Sequence, residues 1–488
     1  MPAKDAALRT DVPPLQPYQE RVVERVTGSE PRMLLMHGLG SGKTRSGLAA
    51  AESAAKPYAV VAPASLRAQW GLENAKWTDQ KTPHDILSYN QVALGQEPKA
   101  DFDTLIVDEG HRLRGGGTSA QAVARLADRA HRLLLLSGSP IVNAPHDLAM
   151  PLSLLRQEPM SQQQFDKRFV GKEWVYPGLL GRLQGVKPVA VPTMQNQEEL
   201  AKLLRGHVDY QPSRTPDGVE TNTERIEVPL GHEQADFHRL LWGKLPWLLR
   251  WKLSRDYPLD AGEAQRLGSF MAGHRQAALS LYPWMRTPDP LKAFQQSPKL
   301  QTAMTRLQTQ LQSDPRSKAI VYSNFIDAGL QPYAAALQHA GVPAAILHGG
   351  MNDEERKQAL ANYNEGRARV LLLGPAAAEG ISTRGTQLIQ LLDPHWNETR
   401  MAQAQGRGLR FDSHAGLPPE LRNVKIERYI ATMPSPGVVG RLLGSGTGPT
   451  ADEVLERQAQ RKEQLLEQYR DVLRQVGSEP PGRSWWPF

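Results

Sequence analysis

Two sets of five short apolar runs constrain the fold of this chain more than any other feature. The first set is "RMLLMH" (Arg32–His37), "YAVVAPA" (Tyr58–Ala64), "HDILSY" (His84–Tyr89), "DTLIVDE" (Asp103–Glu109) and "RLLLLSG" (Arg132–Gly138). The second is "KAIVYSN" (Lys318–Asn324), "PAAILHG" (Pro343–Gly349), "ARVLLLGP" (Ala368–Pro375), "QLIQLLDP" (Gln387–Pro394) and "KIERYIA" (Lys425–Ala431). Each is nearly continuously apolar, and helical stretches alternate with them. A strand with one wet face alternates apolar and polar residues; strands like these are buried on both faces, as in a parallel sheet covered by helices. The expectation is an α/β chain with two separate doubly wound domains.

The segments around these runs set the expected boundaries. Residues 1–210 form the first domain and 297–449 the second. Residues 211–296 read as a helical insertion that opens with the loop "QPSRTPDGVETNTE". Trp242, Trp247, Trp251 and Trp284 fall inside it, among apolar neighbours. That setting favours helix-core packing or a protein-docking face over base stacking. Residues 450–477 read as one helix. Thr450 and Glu453 have capping-box spacing, Leu455, Leu465, Leu466, Tyr469, Val472, Leu473 and Val476 form an apolar stripe, and Gly477 is the expected stop. Residues 478–488 read as a tail.

Composition narrows the class. A chain of 488 residues is too long for one ordinary core. No run approaches the roughly 18 apolar residues of a membrane span, and "MPAKDAALRTDVPP" has no apolar core of a secretory signal. The absence of cysteine excludes disulfides and thiolate metal sites. Together these point to an intracellular, reducing compartment: bacterial cytoplasm, host cell, virion or nucleus. The net charge of +7 favours a polyanionic partner, nucleic acid first.

"LLMHGLGSGKTRSGLAAA" passes from an apolar strand through glycines into an alanine-rich helix, the context a phosphate-binding loop needs. Backbone N–H groups from Gly38, Leu39, Gly40, Ser41 and Gly42 face the phosphates, aided by the helix N-terminus. Lys43 reaches the β- and γ-phosphates of ATP, and the Thr44 hydroxyl holds Mg²⁺. His37 stands where the strict pattern has glycine. "LIVDEGH" supplies the partner carboxylates: Asp108 for the metal, directly or through water, and Glu109 to activate the attacking water. Arg407 and Arg410, three residues apart in "QAQGRGLRF", are the expected cations on the developing γ-phosphate charge. Offered from the second domain, they would make hydrolysis depend on closure of the interdomain cleft.

Taken in order, these motifs resemble the superfamily-two helicase-type ATPases with two RecA-like lobes, and within them the Swi/Snf-type DNA translocases. "LQPYQERVV" is similar to the family's adenine-sensing motif, which implies Gln19 on the base. "HGLGSGKT" resembles motif I, "VVAPASLRAQW" motif Ia, "DEGHRLR" motif II and "SGSPIVNAPHDL" motif III. "AIVYSNF" resembles motif IV, "AAAEGIST" motif V and "QAQGRGLR" motif VI. An acidic residue is common in the family where His37 stands. The resemblance implies that Gly380 and Gln403 complete the nucleotide site. It implies DNA-backbone contacts from Ser65, Arg67, Asn324, Gly349, Gly350 and Ser382. Motifs V and VI look closer to the poxvirus-type nucleoside triphosphate phosphohydrolases and early-transcription ATPases of large DNA viruses than to chromatin remodellers.

The resemblance implies a DNA-stimulated ATPase that steps along duplex DNA without reading sequence and remodels or displaces protein–DNA complexes. A polymerase or another DNA-bound protein is the implied protein partner. Three alternatives stay open: a strand-separating helicase, a viral-type transcription or termination ATPase, and a nucleotide-gated scaffold with little turnover.

Overall fold

The computed structural model describes residues 11–38, 40–213, 219–375, 383–394, 414, 417–418, 422–434 and 448–478. They divide into two compact units. Unit 1 comprises residues 1–172, 192–214 and 462–488, and unit 2 comprises residues 173–191 and 215–461.

The strands, in chain order, are β1 (Arg32–His37), β2 (Tyr58–Ala62), β3 (His84–Ser88), β4 (Thr104–Asp108), β5 (Arg132–Leu136), β6 (Val170–Val175), β7 (Val189–Met194), β8 (Val208–Gln211), β9 (Glu220–Pro229), β10 (Lys318–Tyr322), β11 (Ala344–Leu347), β12 (Val370–Leu373), β13 (Thr386–Leu391) and β14 (Asn423–Thr432). Unit 1 holds a parallel sheet in the order β3-β2-β4-β5-β1-β8. Alternation along β1 explains its double burial. Leu34 and Met36 join the core on one face, with Val123, Leu152 and Phe165. Met33 and Leu35 join the core on the other, with Val22 and Val26 of helix α1 (Pro17–Thr27) and Leu48 and Ala51 of helix α2 (Lys43–Glu52).

Unit 2 repeats the plan in the order β11-β12-β10-β13-β14-β9, again parallel. Ile320 and Tyr322 of β10 enter one core, Ala319 and Val321 the other. The expected α/β class with two parallel sheets is therefore what the chain adopts. No helix among the described residues is long and apolar enough to cross a membrane.

The expected boundaries need three corrections. First, the opening of the supposed helical insertion is sheet. Gln211 closes β8, and β9 pairs with β14 over its whole length, from Glu220↔Asn423 to Pro229↔Thr432. β9 is an edge strand with only Ile226 and Val228 buried, so its sequence reads as polar loop. The helices proper start at His232. Second, residues 173–191 belong to unit 2 rather than to a continuous first domain. Third, the C-terminal helix Ala451–Ser478 forms as expected but does not stand apart as its own domain: its residues up to 461 cluster with unit 2 and the rest with unit 1. Its capping box forms as expected, with Thr450 N donating to Glu453 Oε2 at 2.8 Å and Glu453 N to Thr450 Oγ1 at 3.2 Å. The helix ends one residue past Gly477, at Ser478. A Cβ at Gly477 would stand 2.8 Å from the Tyr210 backbone nitrogen, so close approach there also calls for glycine.

Candidate nucleotide-binding site

The sheet order brings the C-terminal ends of β4, β5 and β1 side by side, where ligands of open α/β sheets bind. The chain leaves β1 through a tight turn and enters α2 at Lys43. Gly40 and Gly42 have φ of 73° and 72°, a region that favours glycine. Gly38 meets a different demand, since a Cβ would fall 2.4 Å from Ser213 N. Ser41 Oγ donates to Gly38 O at 2.7 Å, bracing the turn from within.

Helix α1 braces the turn from outside. Gln19 is buried; its Oε1 accepts from Gln16 N at 3.0 Å and its Nε2 donates to Gly42 O at 3.4 Å. The Tyr18 hydroxyl donates to Ser41 O. Below the turn, His37 is buried and its Nε2 lies 2.9 Å from Asp209 Oδ1. The same carboxylate accepts from Arg21 Nε at 2.8 Å, Arg21 Nη2 at 3.0 Å and Arg25 Nη1 at 3.1 Å. Burial alone would raise the Asp209 pKa, but the hydrogen bonds from His37 and Arg21 outweigh it and hold it below the ordinary carboxylate value.

Asp108 ends β4 and is buried. Its Oδ2 accepts from Trp70 Nε1 at 2.8 Å and its Oδ1 from Glu109 N at 2.9 Å. Burial pushes its carboxyl above the usual range; Lys43 pulls it down and Glu109 adds to the rise. Glu109 follows in a left-handed conformation, φ 54° and ψ 49°, uncommon for a residue with a side chain. This strain aims its carboxylate at Lys43, whose Nζ lies 3.5 Å from Oε1. His111 Nδ1 lies 3.3 Å from Glu109 Oε2 and 3.4 Å from Ser137 Oγ, linking the acidic loop to the end of β5. Asp147 fixes the next loop by accepting from the backbone N–H groups of Val142, Asn143 and Ala144 at 2.9, 2.6 and 3.3 Å.

The structure thus gathers Gln19, Gly38, Gly40, Ser41, Gly42, Lys43, Thr44, Asp108 and Glu109 in unit 1. Leu39, Gly380, Ser382, Gln403, Arg407 and Arg410 lie outside the described residues. Ser65 and Arg67 are exposed just beyond β2, and Gly349 and Gly350 just beyond β11. Asn324 is partly exposed; its Nδ2 donates to Asp393 Oδ2 at 2.7 Å and its Oδ1 accepts from the Tyr322 hydroxyl at 3.2 Å inside unit 2. Sequence reasoning missed Arg21, Trp70, Asp147 and Asp209. The one signal for Asp209 was a lone acid in the short run "HVDYQ".

Comparison with known proteins agrees with this geometry. Residues 82–209 match the SNF2-related domain, and residues 302–412 match the helicase conserved C-terminal domain. A protein of Acanthamoeba polyphaga mimivirus named as an ATP-dependent RNA helicase is 23% identical over 466 residues, covering 94% of this chain and 96% of its own. A termination factor NPH-I homolog of African swine fever virus is 22% identical over 558 residues, covering 92% of this chain and 76% of its own. The Hef helicase domain of Pyrococcus furiosus shares the fold, with a TM-score of 0.50 at 16% identity over 90% of this chain and 99% of that one.

Proposed function

We propose that this chain, an ATP-hydrolysing enzyme similar to the Swi/Snf-like branch of helicase superfamily two, translocates on duplex DNA and displaces or remodels the proteins bound there. The observation that carries the chemistry is the meeting of Lys43 with the strained Glu109 beside Asp108. In this reading Lys43 holds the β- and γ-phosphates, while the turn's N–H groups cradle them. Gln19, Gly380 and Gln403 complete the nucleotide contacts. Glu109 takes the proton of the attacking water.

The Thr44 hydroxyl and the Asp108 carboxylate would hold Mg²⁺, which when bound neutralises phosphate charge. Their chemistry fits. Asp108 is a buried carboxylate that a nearby cation would favour in its charged form. No group of three or more acidic or histidine side chains suited to a metal occurs among the described residues. Mg²⁺ bound through phosphates and water needs only one or two protein ligands.

Arg407 and Arg410 supply the cations for the transition state. Ser65, Arg67, Gly349, Gly350 and Ser382 grip DNA phosphates, which carry affinity without sequence information. Asn324, partly exposed just beyond β10, adds to this set.

The test is a triplex-displacement assay. ATP-dependent release of a third strand from duplex DNA by the wild type, and none by Lys43→Ala, is the expected result. Unwinding of a forked duplex without triplex release would replace translocation by strand separation. A second reading, release of a stalled polymerase, is favoured by the similarity to the viral termination factor across 92% of this chain. Eviction of a stalled elongation complex measures it.

A further inference from the structure

Eleven large hydrophobic side chains are exposed among the described residues, and five of them crowd between Trp174 and Leu183. The short helix Leu179–Leu183 is inverted relative to an ordinary surface helix. Its glycine faces inward: Gly181 is buried, and a Cβ there would come within 2.9 Å of Trp251 Cη2 and of Pro177 Cβ. Its leucines face outward, with Leu179, Leu180 and Leu183 exposed to 75%, 68% and 76%. Trp174 and Tyr176, on the same segment, are more than half exposed. The segment is fixed to unit 2 from beneath. The Tyr257 hydroxyl lies 2.7 Å from Val175 O and 3.3 Å from Lys187 O, and within the segment Arg182 Nε donates to Pro177 O at 3.1 Å. The leucines are therefore presented on a fixed base. Exposed apolar clusters of this kind mark interaction sites.

Charge selects among occupants. From Glu173 to Lys187 the chain carries Arg182 and Lys187 against the one acid Glu173; from Trp247 to Asp256 it carries Arg250, Lys252 and Arg255 against Asp256, which pairs with Arg461 at 2.8 Å. Lys252 is paired with Glu263 at 2.8 Å, while Arg255 is exposed and lies 4.7 Å over the Trp251 ring. A second copy of this chain would bring like charges together. A nucleic acid would satisfy the cations but leave three leucines without an apolar partner. We propose that this face docks an acidic amphipathic helix of a protein partner, whose apolar stripe covers Leu179, Leu180 and Leu183 and whose carboxylates meet Arg182, Lys187 and Arg255.

The test uses the full chain and fluorescence anisotropy. The probe is a dye-labelled peptide of about 20 residues with leucines at helical spacing and glutamates elsewhere. Its twin carries lysine in place of glutamate. The acidic peptide is expected to bind and its twin not. Leu179→Ser/Leu183→Ser and Arg182→Glu/Lys187→Glu are each expected to weaken binding about tenfold or more, with basal ATP hydrolysis unchanged. Equal binding of both peptides, or no binding of either, would overturn the proposal. So would variants that lose self-association or single-stranded DNA binding while keeping the peptide.

Discussion

Asp209 gathers Arg21, Arg25 and His37 at the root of the glycine turn, and it does so while fully buried. His37 ends β1, and the carboxylate it meets comes from the neighbouring strand β8. Removing one partner of a buried ion pair costs more than the pair contributes, because the other charge stays buried. Asp209→Asn is expected to destabilise unit 1 by about 3 kcal/mol and to raise KM for ATP, measured by denaturant unfolding and steady-state kinetics. A second pair sets acid sensitivity. His238 and His274 are buried with ring centroids 5.3 Å apart. Burial foremost lowers their pKa from 6.5 to about 4 and about 3. Both are neutral when folded, so above pH 6.5 they leave stability untouched. As pH falls below 6.5 the unfolded chain takes protons the folded chain refuses, and stability drops progressively toward pH 4. Between pH 6.5 and 5 the expected loss is about 2 kcal/mol per imidazole. Unfolding curves of the wild type should show it, and His238→Gln/His274→Gln should flatten it.

At the scale of elements, ten of the twelve strands in the two large sheets were legible, because each reads as a nearly continuous apolar run, although the edge strands β3 and β11 are only partly buried. The two missed strands, β8 and β9, each lie at one edge of a sheet, as do the legible β3 and β11. β8 is four residues long and carries Asp209. β9 is held mainly by its backbone pairing with β14, and its side chains read as loop. The glycine turn between β1 and α2 was legible, since strand, glycines and Lys-Thr are contiguous. Its supports were not, since Asp209 lies 172 residues from His37. At Gly477 the helix end was legible to within one residue, because termination is a local rule, whereas its contact with Tyr210 is long-range and was not. Gly477→Ala therefore tests packing. Overpacking against Tyr210 and Val208 is expected to cost about 1–3 kcal/mol, read as a lowered unfolding midpoint. A midpoint raised by better helix propensity would contradict the contact.

For the whole molecule, two parallel sheets and a net charge of +7 suit a motor that holds a polyanion by its backbone. Such a grip releases counterions, so DNA stimulation of ATP hydrolysis is expected to fall steeply as salt rises, with little dependence on sequence. The most direct test of the central claim is steady-state ATP hydrolysis by the wild type and by Glu109→Gln, without DNA, with single strands and with duplex. The account predicts strong stimulation of the wild type by duplex, and a loss of about 100-fold or more in Glu109→Gln with ATP binding retained. Absence of hydrolysis by the wild type under every condition, with tight ATP binding, would contradict the motor. Undiminished hydrolysis by Glu109→Gln would contradict the site.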